Sequence, residues 1–307
     1  MNKKEIFKQL ETKEPSKIGF HLENEILKVD MDASSPNANM QTDESAFEGW
    51  ILIIMLRLGG RLNIKRVVLH WEDIDPNRGA GHYSRFIYRV LKFRSRFSEW
   101  FDVDSQRMEE VARFQSEHFS SLLINFPKSE SKQEVGPECE AYLERLFIKQ
   151  REIKRGVVLE HQNHQLPVGI FEQKISRKTA LFTGGKSAID IWGVRNDELW
   201  IFELKFGNNS KVGIISELLF YMWVMEDVFL LKKIHYPVLT EKKLDIAPRD
   251  FSELRKRDIK FINGVMLAEK LHPMVDESLV EYINFYLGDR LKVLIQIYER
   301  NPSIILI

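Results

Sequence analysis

The order of apolar and polar positions divides the chain into elements before any chemistry is considered. Residues 17–29 are strand-like, and a polar loop spans 32–42. Asp43 or Ser45 is placed to cap a helix running through Phe47, Ile51, Ile54 and Leu58 to a Gly59-Gly60 stop. Residues 63–71 read as a strand, 72–81 as a loop rich in Asp, Pro and Gly, and 82–100 and 105–120 as helices. The polar stretch 127–137, PKSESKQEVGP, has a proline at each end and reads as a linker. It separates an N-terminal α/β region, 1–130, from a C-terminal domain, 137–307, both within the usual range of domain sizes.

Beyond the linker, residues 137–152 have helical spacing, with Cys139, Leu143, Leu146 and Phe147 on one side. Strand-like stretches follow at 157–160, 168–171, 187–194 and 199–206, then a helix at 214–230. A strand at 259–267, a helix at 277–287 and a strand at 291–298 complete the chain. Helix, strands, helix and strand in this order predict a mixed central sheet flanked by helices.

Two of these strands hold charges where apolar residues are expected. In 199–206, Trp200, Phe202, Leu204 and Phe206 share one face, and Leu199 and Ile201 share the other with Glu203 and Lys205. In 187–194, Ile189 and Ile191 point one way, and Ala188 and Trp192 point the other way around Asp190. Strands apolar on both faces belong in the middle of a covered sheet. The connector centres on Asn196-Asp197, so Val194 faces Leu199, and the pairing runs back to set Asp190 opposite Glu203 and Ala188 opposite Lys205. Directly opposed residues share a face with Cβ atoms ~5 Å apart, where like charges destabilise. Burial adds to that cost. A divalent cation resolves the conflict: Mg²⁺ takes one or two carboxylates and keeps several waters. Such a site polarises a phosphodiester and activates a water. Lys205, on the same face, is placed to stabilise developing charge or to help deprotonate that water. The bland alternative is a salt bridge of Lys205 with Glu203 or Asp190.

Composition narrows the classes. With 44% hydrophobic residues the chain has a core and is not disordered. Forty-five Lys and Arg against 45 Asp and Glu exclude a globally basic, histone-like binder but leave room for a local patch. The best candidate lies at 83–101, where Arg85, Arg89, Lys92, Arg94 and Arg96 alternate with Phe86, Tyr88, Phe93, Phe97 and Trp100. It reads either as a nucleic-acid contact surface or as an amphipathic helix with its aromatics in the core and its arginines in water. The cluster Arg255-Lys256-Arg257 is interrupted by nearby acids and is weaker. The single cysteine, Cys139, excludes an internal disulfide and a cysteine-based zinc site, and fits a reducing compartment. The charged start lacks a signal-peptide pattern. The longest apolar run, 50–56, falls short of the ~18 residues that span a bilayer. A cytoplasmic protein with no membrane partner is expected. The stretch 183–187, TGGKS, lacks the glycine a P-loop needs at position 180 and precedes a strand, so that reading is rejected. His161 and His164 have no evident third ligand.

Asp190, a gap of twelve residues and then Glu203-Leu204-Lys205 on the next strand resemble the core of the PD-(D/E)XK nuclease superfamily. The resemblance covers residues 136–267. It implies a restriction-endonuclease-like core: a helix, three strands, a helix and a further strand around a mixed sheet, here with an additional N-terminal α/β region. Through Gly136-Pro137-Glu138-Cys139-Glu140 it makes Glu140 the helix glutamate of the family, with Glu144 as an alternative. It implies Asp190, Glu203 and the Leu204 carbonyl as ligands of Mg²⁺, with Mn²⁺ as a substitute, and Lys205 as catalytic. Glu217-Leu218-Leu219-Phe220-Tyr221 is similar to the Gln-x-x-x-Tyr motif of RecB-like members, with Glu217 in place of the glutamine and Tyr221 as the tyrosine. The implied activity is metal-dependent hydrolysis of phosphodiester bonds, with DNA as the expected substrate, in restriction, phage defence or repair. A non-catalytic nucleic-acid- or protein-binding module on the same fold is the alternative, and a homodimer is one arrangement left open.

Overall fold

Asn24 and Glu25 both take left-handed backbone angles (φ 48° and 67°) and turn the first strand-like stretch back on itself as a hairpin. The structure, a computed structural model, describes residues 1–74, 80–118, 122–128, 139–150, 152–183, 187–207, 211–238, 247–300 and 304–307. Most of the 127–137 stretch and residues 184–186 lie outside these. In chain order the elements begin α1 (Lys3–Leu10), β1 (Ile18–Glu23), β2 (Ile26–Met31), α2 (Phe47–Leu58), β3 (Arg66–Trp71), α3 (Ala80–Arg96), β4 (Phe101–Val103), α4 (Ser105–His118) and β5 (Leu122–Ile124). They continue α5 (Glu140–Lys149), β6 (Glu152–Lys154), β7 (Val157–Val158), β8 (His161–Pro167), β9 (Ile170–Glu172), β10 (Ala188–Arg195), β11 (Glu198–Lys205), α6 (Gly213–Met225) and β12 (Ile234–His235). The last are α7 (Arg249–Lys256), β13 (Phe261–Ala268), α8 (Glu277–Leu287), β14 (Leu291–Arg300) and β15 (Ile304–Leu306). Among the described residues no helix is long and apolar enough to cross a membrane.

The chain forms two units. The first contains Met1–Ser120 together with Lys211–Glu217 and Pro273–Tyr286; the second contains Ser121–Ser210, Leu218–His272 and Leu287–Ile307. The sequence division near 127–137 therefore differs from the structural one, because two later segments fold with the first unit. Short-range patterning cannot show such returns.

In the first unit a four-stranded sheet has the order β1-β2-β3-β4, antiparallel at β1-β2 and parallel beyond. The helix α2 is apolar almost all round and is buried from Phe47 to Ile54, as expected for a helix covered on several sides. Its N-cap is Ala46, with no side-chain cap bond. Neither expected cap acts there: the Asp43 carboxylate accepts the Val212 N–H (3.1 Å), and the Ser45 hydroxyl lies 3.4 Å from the Arg89 guanidinium. The core is aromatic, with Phe93 within 4.3 Å of Phe97, 4.7 Å of Phe101 and 5.7 Å of Phe47 between ring centroids.

In the second unit a six-stranded sheet has the order β15-β14-β13-β11-β10-β8. β8, β10 and β11 run antiparallel to one another, and β13 lies parallel to β11, with α6 between them in the chain. β14 is parallel to β13. The helix α5 packs through Leu143 and Phe147 on the face that carries Ile191, Phe202, Leu204, Val265 and Leu267. The opposite face receives Leu218 and Met222 of α6 at Gly264, where a Cβ would sit 2.4 Å from the Met222 sulfur. The glycine is the close approach that lets α6 rest on β13. Successive residues alternate faces, so Ile201, Glu203 and Lys205 lie on the α6 side together with their partners Gly264, Met266 and Ala268.

Candidate active site

The β10-β11 register is Ile191↔Phe202, Trp192↔Ile201, Gly193↔Trp200, Val194↔Leu199 and Arg195↔Glu198. This is the register expected from the Asn196-Asp197 connector, where Asn196 supplies a left-handed residue (φ 53°). The ladder then stops. Asp190 and Ala188 do not pair with Glu203 and Lys205 as regular ladder partners; the pairs end at Ile191↔Phe202. The Asp190 carboxylate instead accepts the backbone N–H of Leu204 at 2.9 Å. A side chain thus satisfies a donor that the parted strand leaves behind. On the other flank, Gln165 of β8 lies in the left-handed region (φ 53°), at the position where the regular β8-β10 register skips Asp190. A non-glycine residue in that region of a strand is locally strained. Both neighbours of β10 are therefore irregular at Asp190.

Glu203 and Lys205 are almost wholly buried (1% and 6% exposed), and the Lys205 ammonium donates to Glu203 Oε1. Pairing offsets part of the desolvation of both charges. Asp190 is half-buried. The Lys205 backbone is fixed from another strand: the hydroxyl of buried Tyr298 on β14 donates to the Lys205 carbonyl at 3.0 Å. The Tyr298 ring stands edge-on to Phe147 of α5 at 5.1 Å. Burial pushes its phenol well above the ordinary value, with the carboxylates of Glu269 and Glu140 adding to the shift and Arg300 opposing it. Nothing in the sequence singled out Tyr298, which is 93 residues from Lys205.

The structure brings Asp190, Leu204, Glu203 and Lys205 to one end of the hairpin and arranges the other candidates elsewhere. Glu140 is the first residue of α5 and half-buried, and Glu144 is buried one turn later. Since α5 covers the face opposite to Glu203 and Lys205, both approach the sheet from its other side. Glu144 accepts Gln165 Nε2 at 2.9 Å and lies 3.3 Å from His164 Nδ1. His161 and His164 belong to a strand, β8. They meet different partners, since His161 Nδ1 is 3.3 Å from Asp250 of α7. Glu217 falls in the first unit and accepts Gln41 Nε2 at 2.7 Å. Tyr221 is buried, its ring 5.5 Å from that of Phe220. At the TGGKS stretch, only the Thr183 and Ser187 hydroxyls, 3.1 Å apart, are within the described residues.

The basic-aromatic stretch is turned largely inward, without its arginines in water: Arg85, Arg89 and Lys92 are 4%, 1% and 7% exposed. Arg85, Arg89, Lys92 and Arg96 are spaced as one stripe of α3. The inner part of that stripe faces α2. The Arg89 guanidinium holds both Glu48 carboxylate oxygens and the Ser45 carbonyl (2.8 Å), and lies 5.2 Å over the Phe47 ring. Arg94 is tied to Asp102 at 2.8 Å, and Arg96 is half-buried.

Among the described residues, no three or more His, Cys, Asp or Glu side chains are gathered into a group able to hold a metal ion. The donors available at the hairpin end are two carboxylates and a backbone carbonyl, hard oxygens of the type Mg²⁺ prefers over softer ligands. The chain matches no family model, no curated protein and no solved structure.

Proposed function

We propose that this chain is a metal-dependent nuclease of the PD-(D/E)XK type, hydrolysing phosphodiester bonds in DNA. The observation that supports it best is the parted hairpin. Its ladder ends one residue before Asp190, the Asp190 carboxylate takes the Leu204 amide, and a buried Glu203-Lys205 pair sits on the adjoining strand. Second in weight is the order of elements around it: helix α5, antiparallel β8, β10 and β11, helix α6, and β13 parallel to β11. That order resembles the helix, strands, helix and strand expected of a restriction-endonuclease-like core, with β6, β7, β9, β12 and α7 as further elements.

On this reading Asp190, Glu203 and the Leu204 carbonyl hold Mg²⁺, with Mn²⁺ able to replace it. The ion, when bound, supplies Lewis-acid polarisation of a phosphate and a more acidic water. Asp190 also fixes the Glu203-Leu204 peptide through its N–H, next to the peptide that carries the Leu204 carbonyl. Lys205 provides positive charge beside the reacting phosphate and can exchange a proton with water. Tyr298 anchors the Lys205 backbone. Glu140 and Glu144 belong to the α5 side, and Glu144 supports the strand bend at Gln165 by accepting its Nε2. A non-catalytic binding module is the second reading, favoured by the internal pairing of Lys205 with Glu203.

The test is cleavage of labelled single-stranded DNA, double-stranded DNA and RNA with Mg²⁺, comparing wild type with Lys205→Ala. Loss of one acid-base group is expected to lower the rate ~10²–10⁴-fold. Metal-dependent cleavage that Lys205→Ala leaves unchanged contradicts the mechanism, and calorimetry showing no metal binding in wild type or Asp190→Asn favours the binding module.

A further inference from the structure

A pocket of about 240 Å³ in the second unit collects positive charge away from the candidate active site. It is built from a π-helical turn, Glu226–Leu230, which follows α6, from β12 and from the end of α7. The turn supplies Phe229, and Lys232 follows in a left-handed conformation (φ 54°). His235 and Tyr236 come from β12 and the residue after it, and Arg255 and Arg257 from α7 and its C-cap. Four of the residues lining the pocket are thus basic, and none of its described lining is acidic. Lys232, His235 and Arg255 are exposed. Arg257 is already engaged by Glu160 (2.6 Å) and the Asn196 carbonyl (3.2 Å).

Tyr236 is the unusual member. Its ring is wedged 6.2 Å from Phe229 and 5.1 Å from Phe251, with the Arg255 guanidinium 5.9 Å from its centroid. Its hydroxyl oxygen is buried and has no hydrogen-bond partner among the described residues. A buried polar group without a partner is costly and calls for an explanation. Burial pushes the phenol well above its ordinary value, with Arg255 opposing, so the hydroxyl is a donor at neutral pH.

We propose that this pocket is a binding site for a phosphate monoester group, received by Arg255, Lys232, His235 and the Tyr236 hydroxyl. The chemistry fits: a phosphate is a compact dianion with several acceptor oxygens, and the pocket offers charged donors and one spare hydroxyl. The site is separate from the hairpin end. Arg257 grips the Asn196 turn, whereas Glu203 lies about 20 Å further along β11 at ~3.3 Å per residue. The proposal does not depend on the nuclease reading. The phosphate can come from a free nucleotide or from the end of a nucleic-acid strand.

The experiment is calorimetric titration of the full chain, without Mg²⁺, using four probes: inorganic phosphate, a nucleoside monophosphate, a short 5′-phosphorylated DNA strand and the same strand with a 5′-hydroxyl. Inorganic phosphate is expected to bind, and the 5′-phosphorylated strand to bind at least ~10-fold more tightly than the hydroxyl strand, as befits charge-assisted hydrogen bonds. The mononucleotide binding as tightly as the phosphorylated strand identifies a nucleotide as the source, and weaker binding identifies a strand end. Arg255→Ala is expected to weaken phosphate ~10-fold or more at unchanged melting temperature, and Tyr236→Phe several-fold at a melting temperature no lower than that of wild type, while Asp190→Asn binds as wild type does. The proposal is overturned if inorganic phosphate gives no binding, if Arg255→Ala binds as tightly as wild type, or if both strands bind equally.

Discussion

Arg89 stores more of the first unit's stability than its place in a basic run suggests. Its guanidinium neutralises Glu48, which is 0% exposed, and Glu48 also accepts the Ser216 hydroxyl at 2.7 Å. Arg89→Ala leaves that carboxylate buried without its cation, which is expected to cost ~3–5 kcal/mol in chemical denaturation. A loss within experimental error of zero would show that the pair is dispensable. Tyr298→Phe removes only the hydroxyl that reaches Lys205, so denaturation should show ~0.5–1.5 kcal/mol with packing against Phe147 intact. The stripe of basic residues on α3 was legible, because its spacing is a property of one helix. Which way it faced was not, because Glu48 lies 41 residues away. The same holds for Tyr298 and Lys205.

At the scale of elements, register was the most legible feature. The Asn196-Asp197 connector and two doubly apolar strands fixed the Val194↔Leu199 pairing, which the structure keeps as far as Ile191↔Phe202. What patterning could not show is where the ladder stops, since that depends on β8 and the left-handed Gln165. β8 itself was hidden: HQNHQLP is polar and lies at the sheet edge, so it shows no apolar alternation. Gly193 tests the packing of this strand. A Cβ there would meet the His161 carbonyl at 2.8 Å and Leu159 at 2.6 Å. Since a backbone atom of β8 must move, Gly193→Ala is expected to destabilise by ~1–3 kcal/mol, and a variant that melts with wild type would contradict that packing.

For the whole molecule, zero net charge gives no overall attraction to nucleic acid, so charge has to act locally. Acid sensitivity follows from particular groups. Burial pushes the Asp102 carboxyl up, but hydrogen bonds from Arg94, the Val103 N–H and Arg66 outweigh it and hold it below the ordinary value. Asp276 behaves likewise, with Ser278, Arg57 and the Leu279 N–H outweighing burial. Burial, then the Arg85 cation, lowers His82. Lowered carboxyls contribute stability above their unfolded value of ~4 and lose it as pH falls; lowered His82 contributes above ~6.5 and loses it below. The melting temperature should therefore fall from about pH 6.5 downwards and more steeply near pH 4, and a flat profile from pH 7.5 to 3 would contradict these assignments. The proposed chemistry rests on Asp190, and the most direct measurement compares wild type with Asp190→Asn in cleavage of end-labelled DNA, with Mg²⁺ and with chelator. The expected result is cleavage by the wild type only with Mg²⁺ and none by the variant at matched folded concentration; equal cleavage by both, or none by the folded wild type on DNA or RNA, contradicts the nuclease assignment.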